Sequence, residues 1–75
     1  MPHITIKCYK GRSKEQLQKI ADKIASCAAE EFELRKGAVS VSIEEVDKEQ
    51  WPDIYHNEIY GNPDTLLVAP DYTVD

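Results

Sequence analysis

Two stretches of alternating side chains, held apart by one long amphipathic helix pattern, constrain this chain more than any other feature. Residues 2 to 9, PHITIKCY, alternate with a period of two. Pro2, Ile4, Ile6 and Cys8 share one face, and His3, Thr5, Lys7 and Tyr9 share the other. Residues 38 to 46, AVSVSIEEV, repeat the pattern, with Val39, Val41 and Ile43 opposite Ser40, Ser42 and Glu44. Between them Leu17, Ile20, Ala21, Ile24, Cys27, Ala28 and Phe32 recur at spacings of three and four. This is one apolar stripe on a helix predicted from about Lys14 to Leu34. Gly11 supplies the turn out of the first strand, and Ser13, with Gln16 three residues on, has the capping-box spacing of a helix start. Arg35 and Lys36 suit the negative end of the helix dipole, and Gly37 suits the cap. Cys27 falls on the stripe, so core packing is its expected role.

Strand, helix, strand is a βαβ unit, an α/β fold whose parallel strands are joined by a right-handed crossover. Two strands make a poor sheet alone, and parallel sheets usually want both faces covered. The chain has 75 residues and reads as a single domain over 1–75. A chain of that size buries only about 60% of its unfolded surface and needs a further source of stability. Two cysteines without CxxC spacing, with only His3 and His56 beside them, make neither a disulfide nor a structural metal site the expected one. Self-association remains, with the sheet completed by a second subunit.

After Val46 the pattern weakens. Trp51-Pro52 favours extended backbone at Trp51 and lets Pro52 open a short helical turn. DIYHNEIY can add one or two turns before Gly61 and Pro63 interrupt it, and PDTLLVAPDY reads as a short helix or turn between Pro63 and Pro70. No internal repeat, linker or low-complexity segment occurs.

The formal net charge is −5, so nucleic acid and anionic membranes are not the expected partners. The charge is uneven, however. Lys7, Lys10, Arg12 and Lys14 fall together with no acid among them, which suits a small anionic ligand. No apolar run approaches the roughly 20 residues that span a bilayer, and no secretory leader is evident. A soluble, cytoplasmic protein is expected.

Pro2 is awkward as a strand residue, since proline donates no N–H to a ladder, although a strand's first position tolerates it. Its place directly behind Met1 suggests more. Removal of the methionine would leave the Pro2 nitrogen a free secondary amine. An α-amine has an ordinary pKa of about 7.7–8.0, burial or a nearby cation lowers it, and a general base works best with its pKa near the operating pH.

These features together resemble the tautomerase superfamily, the 4-oxalocrotonate tautomerase group of small β-α-β proteins. Proline follows Met1, GRS stands at residues 11 to 13 between strand and helix, VSVSI forms the second strand, and Trp51 follows it. The tail WPDIYHNEIYGNPDTLLVAPDY and the start PHITIKC are similar to the PptA-like branch, which implies a homodimer rather than a hexamer. The resemblance implies a cofactor-independent keto–enol tautomerase acting on a small 2-oxo or 2-hydroxy-enoic acid. Pro2 would be the general base, Arg12 the carboxylate clamp and Trp51 an apolar wall. The family's second arginine, on the second strand, is replaced by Ser40. That departure favours a monocarboxylate, such as the enol of an arylpyruvate, over a diacid, with Ser40 beside Arg12 and Trp51 as a substrate-binding candidate.

The residues themselves keep alternatives open. A non-catalytic, self-associating domain could keep the same fold, and lyase, hydratase and dehalogenase activities occur in the superfamily. The latter generally need an added acid or second cation to activate water, which Ser40 does not provide. Cys8 has no evident activating neighbour, His3 faces away from Pro2 and is not assigned to proton transfer, and His56 is expected to be solvated or bonded locally. Tyr55 and Tyr60 are candidates to line a site.

Overall fold

A computed structural model describes all residues, 1–75. The chain divides into two compact units, Met1–Glu45 and Val46–Asp75. No helix is long and apolar enough to cross a membrane.

The first unit is the strand–helix–strand unit. Strand β1 spans His3–Tyr9, helix α1 spans Lys14–Phe32, and strand β2, Ser40–Val46, lies beside β1 in a two-stranded sheet. The register is visible in side-chain pairs across the sheet. His3 meets Ser40 and Thr5 meets Ser42, so both partners advance together and the strands run parallel. Alternation sorts the faces as the sequence implies. Ile4, Ile6, Val41 and Ile43 are half-buried, whereas His3, Thr5, Ser40 and Ser42 are exposed. A crossover helix returns over one face of a parallel pair, which accounts for the difference.

Helix α1 starts where the sequence places it. The Gln16 amide donates to Ser13 Oγ at 3.2 Å and the Ser13 amide donates to Gln16 Oε1 at 3.0 Å, a complete capping box. Such caps contribute about 1 kcal/mol. Its inward stripe is Leu17, Ile20, Ala21, Ile24 and Ala28, with Ala29 buried. Two expectations fail here. Cys27 is exposed, because the buried stripe runs through Ala28 and Ala29 instead, and Phe32 is 62% exposed. The helix also stops before Leu34. Glu33 takes left-handed backbone, φ 57° and ψ 46°, and the Leu34 amide donates back to the Ala29 carbonyl at 2.9 Å. This pattern ends the helix at Glu33, leaving Gly37 inside a 3₁₀ turn, Lys36–Ala38, that leads into β2.

The second unit is helical and irregular. A 3₁₀ turn, Lys48–Gln50, is capped by Asp47, whose amide donates to Gln50 Oε1 at 2.9 Å. It runs into the short helix α2, Trp51–Ile54, and then a π-helical turn, Tyr55–Ile59. Trp51 is therefore helical, with φ −64° and ψ −39°, rather than extended. The turn already wound by the Asp47 cap overrides the bias that Pro52 places on its predecessor. Gly61 closes the segment because nothing larger fits: an added Cβ would lie 1.9 Å from the Asn57 carbonyl oxygen. Beyond it, only Pro63–Thr65 forms a 3₁₀ turn, and Leu67 and Val68 are about nine-tenths exposed. Val46, Ile54 and Tyr55 are the buried residues of this unit.

Candidate functional site

The four sequence-designated residues fall in both units: Pro2, Arg12 and Ser40 in the first, Trp51 in the second. Pro2 stands just ahead of β1, half-buried on the face of Ile4 and Ile6. Its carbonyl accepts a hydrogen bond from the Ser40 amide at 3.2 Å, so the start of β1 and the start of β2 are joined there. Met1 projects into solvent, 95% exposed. While Met1 is attached the Pro2 nitrogen is a tertiary amide and has no basicity; removal of Met1 makes it an amine.

Arg12 occupies the turn between β1 and α1 and is exposed. Gly11 before it has φ +129°, a conformation that a side chain would strain, so this glycine sets how Arg12 leaves the strand. With β1 seven residues long and a strand rise of about 3.3 Å per residue, the ends of the strand lie roughly 20 Å apart, with Pro2 just before one end and Arg12 in the loop after the other. The helix that follows Arg12 starts at that far end, so the loop does not bring it back. Pro2 and Ser40 are brought together; Pro2 and Arg12 of one chain are not.

Ser40 does not stand free. Its hydroxyl lies 2.7 Å from His3 Nδ1, and the other ring nitrogen, Nε2, lies 3.4 Å from Ser42 Oγ. Ser42 Oγ in turn donates to Thr5 Oγ1 at 3.5 Å. His3 thus ties into the strand pairing beside Pro2 from the opposite strand face, as a hydrogen-bonding residue. The sequence signal was there in the shared register of His3, Thr5, Ser40 and Ser42, but it becomes specific only once the strands are known to be paired.

Trp51 is half-buried, and its indole N–H donates to the Tyr72 phenolic oxygen at 3.0 Å. Tyr55 packs within this unit against Tyr60 and Tyr72, with ring centroids 5.0 and 5.8 Å away, and edge-on to His56 at 5.0 Å. Its hydroxyl donates to the Tyr72 carbonyl at 3.4 Å. Burial, reinforced by neighbouring Tyr60, pushes the Tyr55 phenol above the ordinary tyrosine value. Tyr55 is accordingly a core residue of the tail. No sequence pattern had marked Tyr72 as the partner of Trp51, since a contact across a coil has no period to reveal it.

A family model described as tautomerase enzyme matches residues 2–52 of the chain. Curated relatives extend the likeness to nearly the whole length. A probable tautomerase of Xylella fastidiosa is 36% identical over 73 residues, covering 96% of this chain and 89% of that protein. The tautomerase PptA of Cronobacter sakazakii is 34% identical over 74 residues, covering 96% and 97% respectively. The tautomerase PptA of an Enterobacter species is 32% identical over 76 residues, covering 99% and 100%.

Proposed function

The chain belongs to the tautomerase family and is an enzyme of tautomerase type, and on that premise we propose that it interconverts keto and enol forms of a small 2-oxo acid with Pro2 as the base. In this reading Met1 is removed and the Pro2 amine takes a proton from the enol hydroxyl or the adjacent carbon, then returns it at the other position. The observation that carries the reading is the setting of Pro2: half-buried, at the head of β1, with its carbonyl held by Ser40. Partial burial favours the neutral amine, the form that accepts a proton. A pyrrolidine nitrogen also has little rotational freedom to lose. No cofactor is needed for such a proton transfer.

Arg12 is the carboxylate clamp of this reading. A guanidinium offers parallel N–H donors to a carboxylate and draws negative charge towards it as an enolate develops. The separation of Pro2 from Arg12 along β1 supports a site shared between two copies, each lending its Arg12 to the other's Pro2. The scarcity of buried side chains points the same way: four residues are buried, while Phe32, Leu67 and Val68 remain exposed. We take the assembly to be a homodimer in the cytoplasm, with the sheet continued across the interface. Trp51 supplies an apolar wall against a planar conjugated substrate.

Ser40 stands where a diacid would require a second cation. The substrate class that follows is a monocarboxylate, such as the enol of an arylpyruvate. Ketonisation of phenylenolpyruvate by the Met1-free chain, set beside Pro2→Ala, tests the reading. General bases contribute about 10²–10⁴-fold, and the alanine variant keeps a primary amine, so a loss of at least about tenfold is expected. Equal rates would overturn Pro2 as the base.

A further inference from the structure

The chemistry proposed for Pro2 requires its amine to point in one direction, yet a chain terminus tends to fray. Once Met1 is gone, the pyrrolidine ring locks the nitrogen to its own Cα, and the torsion that still aims it is Pro2 ψ. That torsion is held where the Pro2 carbonyl accepts the Ser40 amide at 3.2 Å. A single terminal backbone bond is a weak restraint, but here a second tie sits beside it. The next residue, His3, reaches across the sheet so that Nδ1 lies 2.7 Å from Ser40 Oγ and Nε2 lies 3.4 Å from Ser42 Oγ.

The donors in this chain can be ordered consistently. In one such order Ser42 gives its hydroxyl proton to Thr5 Oγ1 and accepts the proton carried on His3 Nε2. Nδ1 then carries the lone pair and accepts the Ser40 hydroxyl proton. Ser40 and Ser42 then each donate once, and both imidazole nitrogens lie against β2. One residue, Ser40, therefore grips two successive residues of the terminus, Pro2 through its backbone and His3 through its side chain.

We propose that His3 and Ser40 form a positioning pair that aims the Pro2 amine, with Ser42 and Thr5 fixing the imidazole from its other side. The proposal rests on the reading of Pro2 as the base, and it gives the hydroxyl at position 40 a task without requiring it to touch substrate. Neither residue transfers a proton to substrate; both act through the backbone of residue 2.

The test compares Ser40→Ala, Ser40→Thr, His3→Phe and the Ser40→Ala/His3→Phe double variant with the parent, all Met1-free, in phenylenolpyruvate ketonisation. A lost hydrogen bond of this kind corresponds to about a fivefold change. The expected result is a kcat lowered about fivefold in each alanine or phenylalanine variant with KM unchanged. Ser40→Thr, which keeps the hydroxyl, restores kcat, and the double variant is no worse than either single one. An unchanged kcat, an effect confined to KM, or losses that add in the double variant would overturn the proposal. Hydrogen exchange at the Ser40 amide reads the clamp without reference to catalysis. His3→Phe should speed it about fivefold, and unchanged exchange also overturns the proposal. If Pro2→Ala keeps the parent's activity while this amide is deprotected as expected, the base reading fails and the clamp stands.

Discussion

The indole N–H of Trp51 donates to the phenolic oxygen of Tyr72 across 3.0 Å, joining α2 to the end of the chain. The same stretch of tail is held a second time, where the Tyr55 hydroxyl reaches the Tyr72 carbonyl. Trp51 is therefore oriented by a residue twenty-one positions away, and the tail beyond Pro70 is a structural part of the Trp51 environment.

Tyr72→Phe removes the oxygen while keeping the ring. Because Tyr72 is 44% exposed, its loss should cost only about 0.5–1 kcal/mol of stability. The chain has one tryptophan, so its emission reports this site alone. A shift of emission in Tyr72→Phe is expected, with secondary structure by circular dichroism unchanged. An unaltered spectrum would show that the bond does not persist in solution.

Pro2 and Arg12 offer a test of the shared site. Pro2→Ala and Arg12→Ala chains, each poorly active alone, should regain activity when unfolded together and refolded as a mixture. In a symmetric dimer with random pairing, half the molecules are mixed and one of their two sites is intact, so about a quarter of parental activity is expected. Activity no greater than the average of the two variants would place Pro2 and Arg12 of one chain in one site, against the strand geometry.

Tyr55 makes the stability of the second unit sensitive to alkali. Its phenol is held above the ordinary tyrosine value by burial, so the unfolded chain releases this proton at a lower pH than the folded one. The stabilisation is complete below about pH 10, the unfolded value, and is lost as pH rises through the folded value. Thermal midpoints followed upward from neutrality should fall less steeply beyond about pH 10 in Tyr55→Phe than in the parent. Parallel curves would remove Tyr55 from the effect.

Much of the first unit is legible in the sequence. Strict alternation in PHITIKCY and AVSVSIEEV separates half-buried Ile4, Ile6, Val41 and Ile43 from exposed His3, Thr5, Ser40 and Ser42, and Ser13 with Gln16 marks the helix start. Such signals are local and periodic. The helix end was not legible in the same way, because it rests on left-handed backbone at Glu33, a conformation glutamate rarely signals. Trp51 escaped its expected extended backbone because a cap four residues earlier had already begun the helix. Of the site, Pro2 and Arg12 were marked by type and place. Their places beyond opposite ends of β1 follow from strand length, while the His3–Ser40 bond needed the pairing of strands far apart in sequence.

The central claim is that the catalytic base is the amine of Pro2, which exists only after Met1 is lost. Its most direct test is intact mass and phenylenolpyruvate ketonisation measured on the same samples, prepared with differing proportions of retained methionine. The rate should rise in proportion to the Met1-free fraction and vanish when every chain keeps Met1. Full activity in a sample whose mass shows Met1 on every chain would contradict the account.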